Sequence, residues 1–178
     1  MKRRAVFLDR DGVLNRAVVR DGKPYPPRSL EELEILPGVV EAMRGLKEAG
    51  FVLVVVSNQP DVARGTTPKA TVEAINSYLA ERLPIDRFIM CYHDSSDGCD
   101  CRKPNPGMLF AGAREFDIDL ASSYMVGDRW RDVEAGIGAG CKTIFIDCGY
   151  NEQRPQLCDF LVSSMQEAAS IILMGNEI

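Results

Sequence analysis

Apolar residues gather in short blocks along this chain, and the blocks alternate with longer periodic stretches, which predicts strands and helices in turn. The first block, Val6-Phe7-Leu8, runs straight into Asp9-Arg10-Asp11-Gly12. Phe51-Val52-Leu53-Val54-Val55-Val56 is unbroken, as expected of a strand covered on both faces in a parallel sheet, and ends on Ser57-Asn58-Gln59. Phe88-Ile89-Met90, Tyr124-Met125-Val126 and Thr143-Ile144-Phe145-Ile146 repeat the pattern, and Phe160-Leu161-Val162 is a weaker sixth block. Pro37-Gly38 opens a predicted helix with Val39, Met43 and Leu46 on one face and Gly50 at its end. Thr67 as N-cap with Pro68 at the first helical position starts a second, striped by Val72, Ile75, Leu79 and Leu83. A third runs from about Pro106 to Phe116, a fourth carries Val133 and Ile137, and Ser164 with Glu167 has the spacing of a capping box for a last helix through Ile172. No element is predicted between Arg16 and about Leu36, where Pro24, Pro26 and Pro27 forbid a helix.

Strands alternating with helices predict an α/β fold, a doubly wound parallel sheet with right-handed crossovers, in a single domain over residues 1–178. The net charge of −5 argues against a broad nucleic-acid-binding face, which is usually basic. No apolar run approaches the roughly 20 residues needed to span a membrane. The start, Met1-Lys2-Arg3-Arg4, leads into a block too short for a signal peptide, so the expectation is a cytoplasmic protein. Nothing in the sequence demands more than a monomer.

Chemistry enters at the ends of the predicted strands. Asp9 and Asp11 lie two positions apart where a strand meets a turn, so they can converge on one site while Gly12 lets the backbone leave sharply. Two carboxylates so close repel each other unless a cation lies between them or their surroundings separate their pKa values. Ser57-Asn58, then Arg102-Lys103, then Asp128 follow the next strands. Three carboxylates, Asp9, Asp11 and Asp128, suit Mg²⁺, while Ser57 and Lys103 suit the oxygens of a phosphoryl group. An aspartate can also serve as the nucleophile. Taken singly these residues read as surface charges or caps; their recurrence at successive strand ends makes a site.

A second cluster is Cys91-x-His93 followed, after five residues, by Cys99-x-Cys101, which supplies three thiolates and an imidazole for a closed structural Zn²⁺ site over residues 91–101. Such a site would pin the loop that leads into Arg102 and Lys103. Cys141, Cys148 and Cys158 are scattered and read as packing residues.

Together these residues resemble the haloacid-dehalogenase-like (HAD-like) phosphohydrolases. Asp9-Arg10-Asp11-Gly12 is similar to that superfamily's first motif, Ser57 to its second, Lys103 to its third, and Gly127-Asp128-Arg129 with Asp132 to its fourth. Ser57-Asn58-Gln59 with Ala63-Arg64-Gly65, the cysteine-histidine cluster and Cys101-Arg102-Lys103-Pro104-Asn105-Pro106-Gly107-Met108 resemble, more narrowly, the heptose bisphosphate phosphatases. The histidinol-phosphate phosphatases are a neighbouring branch, to whose short zinc loop this one is closer. The resemblance implies Asp9 as nucleophile and Asp11 as acid and base. It implies Mg²⁺ on the Asp9 carboxylate, the Asp11 backbone carbonyl and Asp128, and phosphoryl stabilisation by Ser57 and Lys103. Substrate contacts would come from Asn15, Ser57, Asn58, Gln59, Arg102, Lys103 and Arg129, with no large cap domain and a phosphorylated sugar as substrate. A catalytically silent sugar-phosphate-binding module is the alternative, disfavoured because a binder gains nothing from two repelling acids.

Overall fold

A computed structural model describes residues 2–175. Six strands form one parallel sheet in the order β5(Arg87–Cys91), β4(Val52–Asn58), β1(Ala5–Leu8), β6(Tyr124–Gly127), β7(Lys142–Ile146), β8(Phe160–Val162). All six predicted strands are present, including the weak sixth. Side chains alternate across the sheet as a two-residue period requires. Val6, Leu8, Leu53 and Val55 pack on one face with Val39, Met43 and Leu46 of α1(Val39–Glu48), Ile75 and Leu79 of α2(Lys69–Ala80) and Ile172 of α5(Met165–Met174). Ala5, Phe7, Val52, Val54 and Val56 pack on the other with Met108 and Leu109 of α3(Gly107–Phe116) and Ala135 and Ala139 of α4(Trp130–Ala139). Both faces are therefore buried, which is why β1 and β4 read as continuous apolar runs.

The central strand β1 lies between β4 and β6, and the chain winds away from it in both directions. That reversal opens a crevice at the carboxyl ends of β1, β4 and β6, where α/β sheets bind ligands. Among the described residues no helix is long and apolar enough to cross a membrane.

Four expectations need correction. Residues 16–36 are not featureless: β2(Val18–Arg20) and β3(Lys23–Tyr25) pair as an antiparallel hairpin. Asp21 and Gly22, with φ of 51° and 74°, make the two-residue turn that Asp-Gly favours, and Pro24 sits opposite Val19, one pair beyond the turn, where the ladder needs no N–H. The second helix begins one residue late, because Pro68 keeps an extended ψ of 139° and is itself the N-cap; Leu83 is buried beyond the helix end. Ser164 Oγ accepts from the Glu167 N–H at 3.2 Å, but the Glu167 carboxylate turns to the N–H of Ser163 at 2.8 Å, so only half of the capping box forms. Finally, Cys141 is buried but Cys148 is exposed, so it is no packing residue.

Candidate active site

The carboxyl ends of β1, β4 and β6 carry Asp9, Ser57 and Asp128 to one edge, and Lys103 reaches them from the segment before α3. Lys103 Nζ lies 3.0 Å from Asp9 Oδ1 and 2.6 Å from Asp132 Oδ1, and donates to the Val56 carbonyl at 2.7 Å. All three of its protons are engaged in a pocket where its side chain is 2 % exposed. Burial alone would lower the Lys103 pKa, but Asp132 and Asp9 outweigh it and hold the ammonium above its ordinary range. Asn58 fixes the lysine's backbone, accepting from the Lys103 N–H and donating to its carbonyl, both at 3.0 Å.

Asp9, Asp128 and Asp132 can each offer an oxygen within 4.8 Å of the others. Three carboxylates against one ammonium leave two negative charges uncompensated in a buried site, which a divalent cation matches. Burial and then Asp9 and Asp132 push the Asp128 pKa well up; burial and Asp9 raise Asp132 to about 6 against the pull of Lys103. Asp128 Oδ1 is buried without a hydrogen-bond partner among the described residues, while its Oδ2 accepts from Tyr150 at 2.8 Å. Burial, then Asp128 and Cys148, raise Tyr150 above its ordinary range, so its hydroxyl is the donor. An orphaned carboxylate oxygen among hard oxygen donors fits Mg²⁺. Gly12, at φ +89°, is obligatory here: a Cβ on it would lie 1.9 Å from Asp128 Oδ2.

The Asp11 carboxylate does not join that cluster, contrary to the simple convergence of the two acids. Arg10, completely buried, forks onto it with Nε at 3.1 Å and Nη2 at 3.2 Å, and anchors its remaining amine to Asn76 of α2 at 3.0 Å. Asn15 donates to Asp11 at 3.0 Å and Gln59 at 2.8 Å. Those donors hold the carboxylate apart from the other three acids, while Asp11 still lines the cleft. Asn15 and Gln59, expected at the substrate, are buried behind the cleft wall and act on Asp11; Gln59 also donates to Ser57 Oγ at 3.0 Å, leaving the serine proton free. Asn58 is likewise committed, to Lys103. Arg129 borders the cleft, but its guanidinium grips Glu152 through Nε at 2.9 Å and through Nη2.

The cleft has a volume of about 250 Å³, with Asp9, Asp11, Ser57 and Lys103 at its base. The hairpin supplies one wall through Lys23, Pro24, Tyr25 and Pro26, and Arg102 and Arg131 stand where the cleft meets a neighbouring cavity of about 370 Å³. Arg102 donates to the His93 carbonyl at 3.3 Å; Arg131 lies 5.0 Å from the Trp130 ring, and burial, then Arg129 and Arg102, lower its pKa.

Beside the cleft, Cys91, His93, Cys99 and Cys101 come together as expected. Their sulfurs are 3.1 to 3.7 Å apart, and His93 Nδ1 is 3.3 Å from Cys101 and 3.7 Å from Cys91. Tetrahedral Zn²⁺ with Zn–S of about 2.3 Å and Zn–N of about 2.0 Å needs edges of about 3.5–3.8 Å, so the four atoms fit with small adjustments. Burial opposes ionisation of Cys99, but the Arg102 N–H and the other two thiols bring it down to about 7; burial, then the Cys91 and Cys99 thiols, drive Cys101 up to about 12. Arg64 clamps the loop by a double contact with Asp94 at 2.7 Å.

The sequence profile of the HAD-hydrolase-like family matches residues 100–168. A D-glycero-β-D-manno-heptose-1,7-bisphosphate 7-phosphatase of Pseudomonas putida is 37% identical over 153 residues, covering 83% of this chain and 85% of that protein. The chain belongs to the HAD-like phosphatases. The enzyme of the same name from Escherichia coli K12 is 40% identical over 151 residues, 78% of this chain and 76% of that one. Among solved structures, D,D-heptose 1,7-bisphosphate phosphatase from B. bronchiseptica, complexed with magnesium and phosphate, superposes with a TM-score of 0.83 at 33% identity, covering 97% of this chain and 99% of that one.

Sequence reading of this HAD-like phosphatase missed Arg10, Arg131, Tyr150 and the cleft wall made by the hairpin. Arg10 looks like a spacer between two acids, and only its burial reveals the fork on Asp11. The hairpin did carry a signal, Asp21-Gly22 flanked by Val18-Val19 and Lys23.

Proposed function

We propose that this chain is a Mg²⁺-dependent phosphomonoesterase that hydrolyses the 7-phosphate of D-glycero-D-manno-heptose 1,7-bisphosphate. Two things carry the reading together: relatives of that name matching most of the chain, and a buried Asp9–Lys103–Asp132–Asp128 cluster whose Asp9, Lys103 and Asp132 line the cleft. Asp9, held by Lys103, attacks phosphorus as the sugar O7 leaves, giving an aspartyl-phosphate. Asp11 gives the leaving oxygen its proton, then takes one from the water that hydrolyses the acyl-phosphate, regenerating Asp9 and releasing phosphate. Ser57 donates its free proton to a phosphoryl oxygen, and Lys103 adds positive charge where negative charge spreads in the transition state. Mg²⁺, held by Asp9, Asp128 and the Asp11 carbonyl, would supply charge neutralisation. Arg102, joined by Arg131, grips the second phosphate at the cleft mouth, where a guanidinium fork suits phosphate oxygens.

Zn²⁺ in the Cys91-His93-Cys99-Cys101 loop has a structural task in this reading, fixing the segment that delivers Arg102 and Lys103. The protein works as a cytoplasmic monomer with a single domain. The experiment is phosphate release from heptose 1,7-bisphosphate, histidinol phosphate and a hexose bisphosphate, with wild type and Asp9→Asn. Preference for the heptose, abolished in Asp9→Asn, is expected. Preference for histidinol phosphate would reassign the substrate, and release by Asp9→Asn at the wild-type rate would overturn the nucleophile.

A further inference from the structure

The acid that has one oxygen orphaned and the other engaged, Asp128, owes its orientation to a loop outside every motif. The segment after β7 folds back on itself: Asp147 accepts from the Gly149 N–H at 3.0 Å and from Arg154 at 2.6 Å. From this turn Tyr150 donates to Asp128 Oδ2 at 2.8 Å, Asn151 N–H donates to the Gly22 carbonyl at 2.7 Å, and Glu152 holds Arg129. The fit is close on both sides. A Cβ on Gly12 would stand 2.7 Å from the Tyr150 hydroxyl as well as 1.9 Å from Asp128, and one on Gly22 would stand 2.7 Å from the Asn151 Cβ.

A carboxylate can turn about its terminal torsion and present either oxygen. With Oδ2 tied to Tyr150 and pressed against Gly12, only Oδ1 is left, buried and without a partner among the described residues. A buried acceptor left unpaired is costly, by about 1–3 kcal/mol, and persists where a ligand completes it.

Building on the metal-dependent reading above, we propose that Tyr150 is a positioning residue: its hydroxyl fixes the Asp128 carboxylate so that Oδ1 faces the divalent cation. The loop from Asp147 to Arg154 thereby ties cation binding to the hairpin that walls the cleft.

Tyr150→Phe keeps the ring and removes only the hydroxyl. Mg²⁺ is titrated calorimetrically into wild type and Tyr150→Phe, with melting temperatures taken in chelator. Partners of this outer kind are worth roughly 10–100-fold in metal affinity, so Tyr150→Phe should bind Mg²⁺ at least about tenfold more weakly. The Mg²⁺ concentration for half-maximal turnover should rise by the same factor, with kcat at saturating Mg²⁺ largely retained. Wild-type Mg²⁺ affinity in Tyr150→Phe overturns this inference alone, and does so also if melting falls, since that assigns the tyrosine to loop anchoring. A wild type that takes up no Mg²⁺ overturns the proposed function and this inference with it.

Discussion

Replacing Lys103 by methionine keeps most of the side-chain volume but deletes an ammonium that serves Asp9, Asp132 and the Val56 carbonyl at 3.0, 2.6 and 2.7 Å. Two hydrogen bonds to charged acceptors at about 1.5–3 kcal/mol each, and one to a neutral carbonyl at about 1 kcal/mol, give a gross loss of about 4–7 kcal/mol. Truncating one partner of a buried ion pair costs about 3–5 kcal/mol, in the same range. Protonation relieves part of the loss. Asp132 is raised to about 6 even with Lys103 beside it, so without the lysine taking up a proton at pH 7 costs it at most about 1–2 kcal/mol. The net expectation is about 3 kcal/mol at pH 7, within the stability of an ordinary domain, so the variant should still fold. With a urea slope of about 1–3 kcal/mol per molar, the midpoint should drop by roughly 1–3 M. The assay is urea unfolding in chelator at pH 7 and at pH 5.5, where protonated acids should narrow the gap. An unchanged midpoint, or a gap that widens on acidification, would refute the buried tripod. The same variant should lose roughly 10²–10³ in kcat, the usual cost of one transition-state cation or donor.

Three further outcomes are expected. Cys99→Ser should lower bound zinc and melting temperature together, by about 4–8 °C for each ~2 kcal/mol lost; full zinc content by metal analysis would count against the four-ligand site. Asp132, at about 6, and Asp128, also raised, bind protons more tightly folded than unfolded. In Mg²⁺-free protein these acids therefore cost stability as pH rises from about 4 through about 6, by on the order of 3 kcal/mol for Asp132. Because a cation favours their ionised forms, the melting increment from Mg²⁺ should grow over that range, and a flat increment would refute the charge balance. Gly12→Ala forces a left-handed alanine against Asp128 and should weaken Mg²⁺ binding measured by titration; wild-type affinity would mean that Asp128 can move aside.

The positions of Asp9, Ser57 and Asp128 were legible because an apolar block ending at each names both the strand and its carboxyl end. Cys91, His93, Cys99 and Cys101 were legible because four soft ligands fall within eleven positions. Orientation was not. Whether the Asp11 carboxylate meets the other acids depends on Gln59, 48 positions away, and on Arg10, whose burial no local pattern announces. Arg129 looked available for substrate because Glu152, its partner, lies 23 positions on in a loop with no periodicity. Asn58 looked like a substrate amide because its two bonds to Lys103 join segments 45 positions apart. The hairpin was hidden differently: the prolines at 24, 26 and 27 mask Asp21-Gly22, although Pro24 occupies a place in the ladder where proline is harmless.

The most direct test is phosphorus NMR of heptose 1,7-bisphosphate incubated with the wild-type protein, with Mg²⁺ and with it chelated. Loss of the 7-phosphate resonance, appearance of inorganic phosphate and persistence of the 1-phosphate, all only when Mg²⁺ is present, is the expected result. Loss of the 1-phosphate, or equal turnover in chelator, would contradict it.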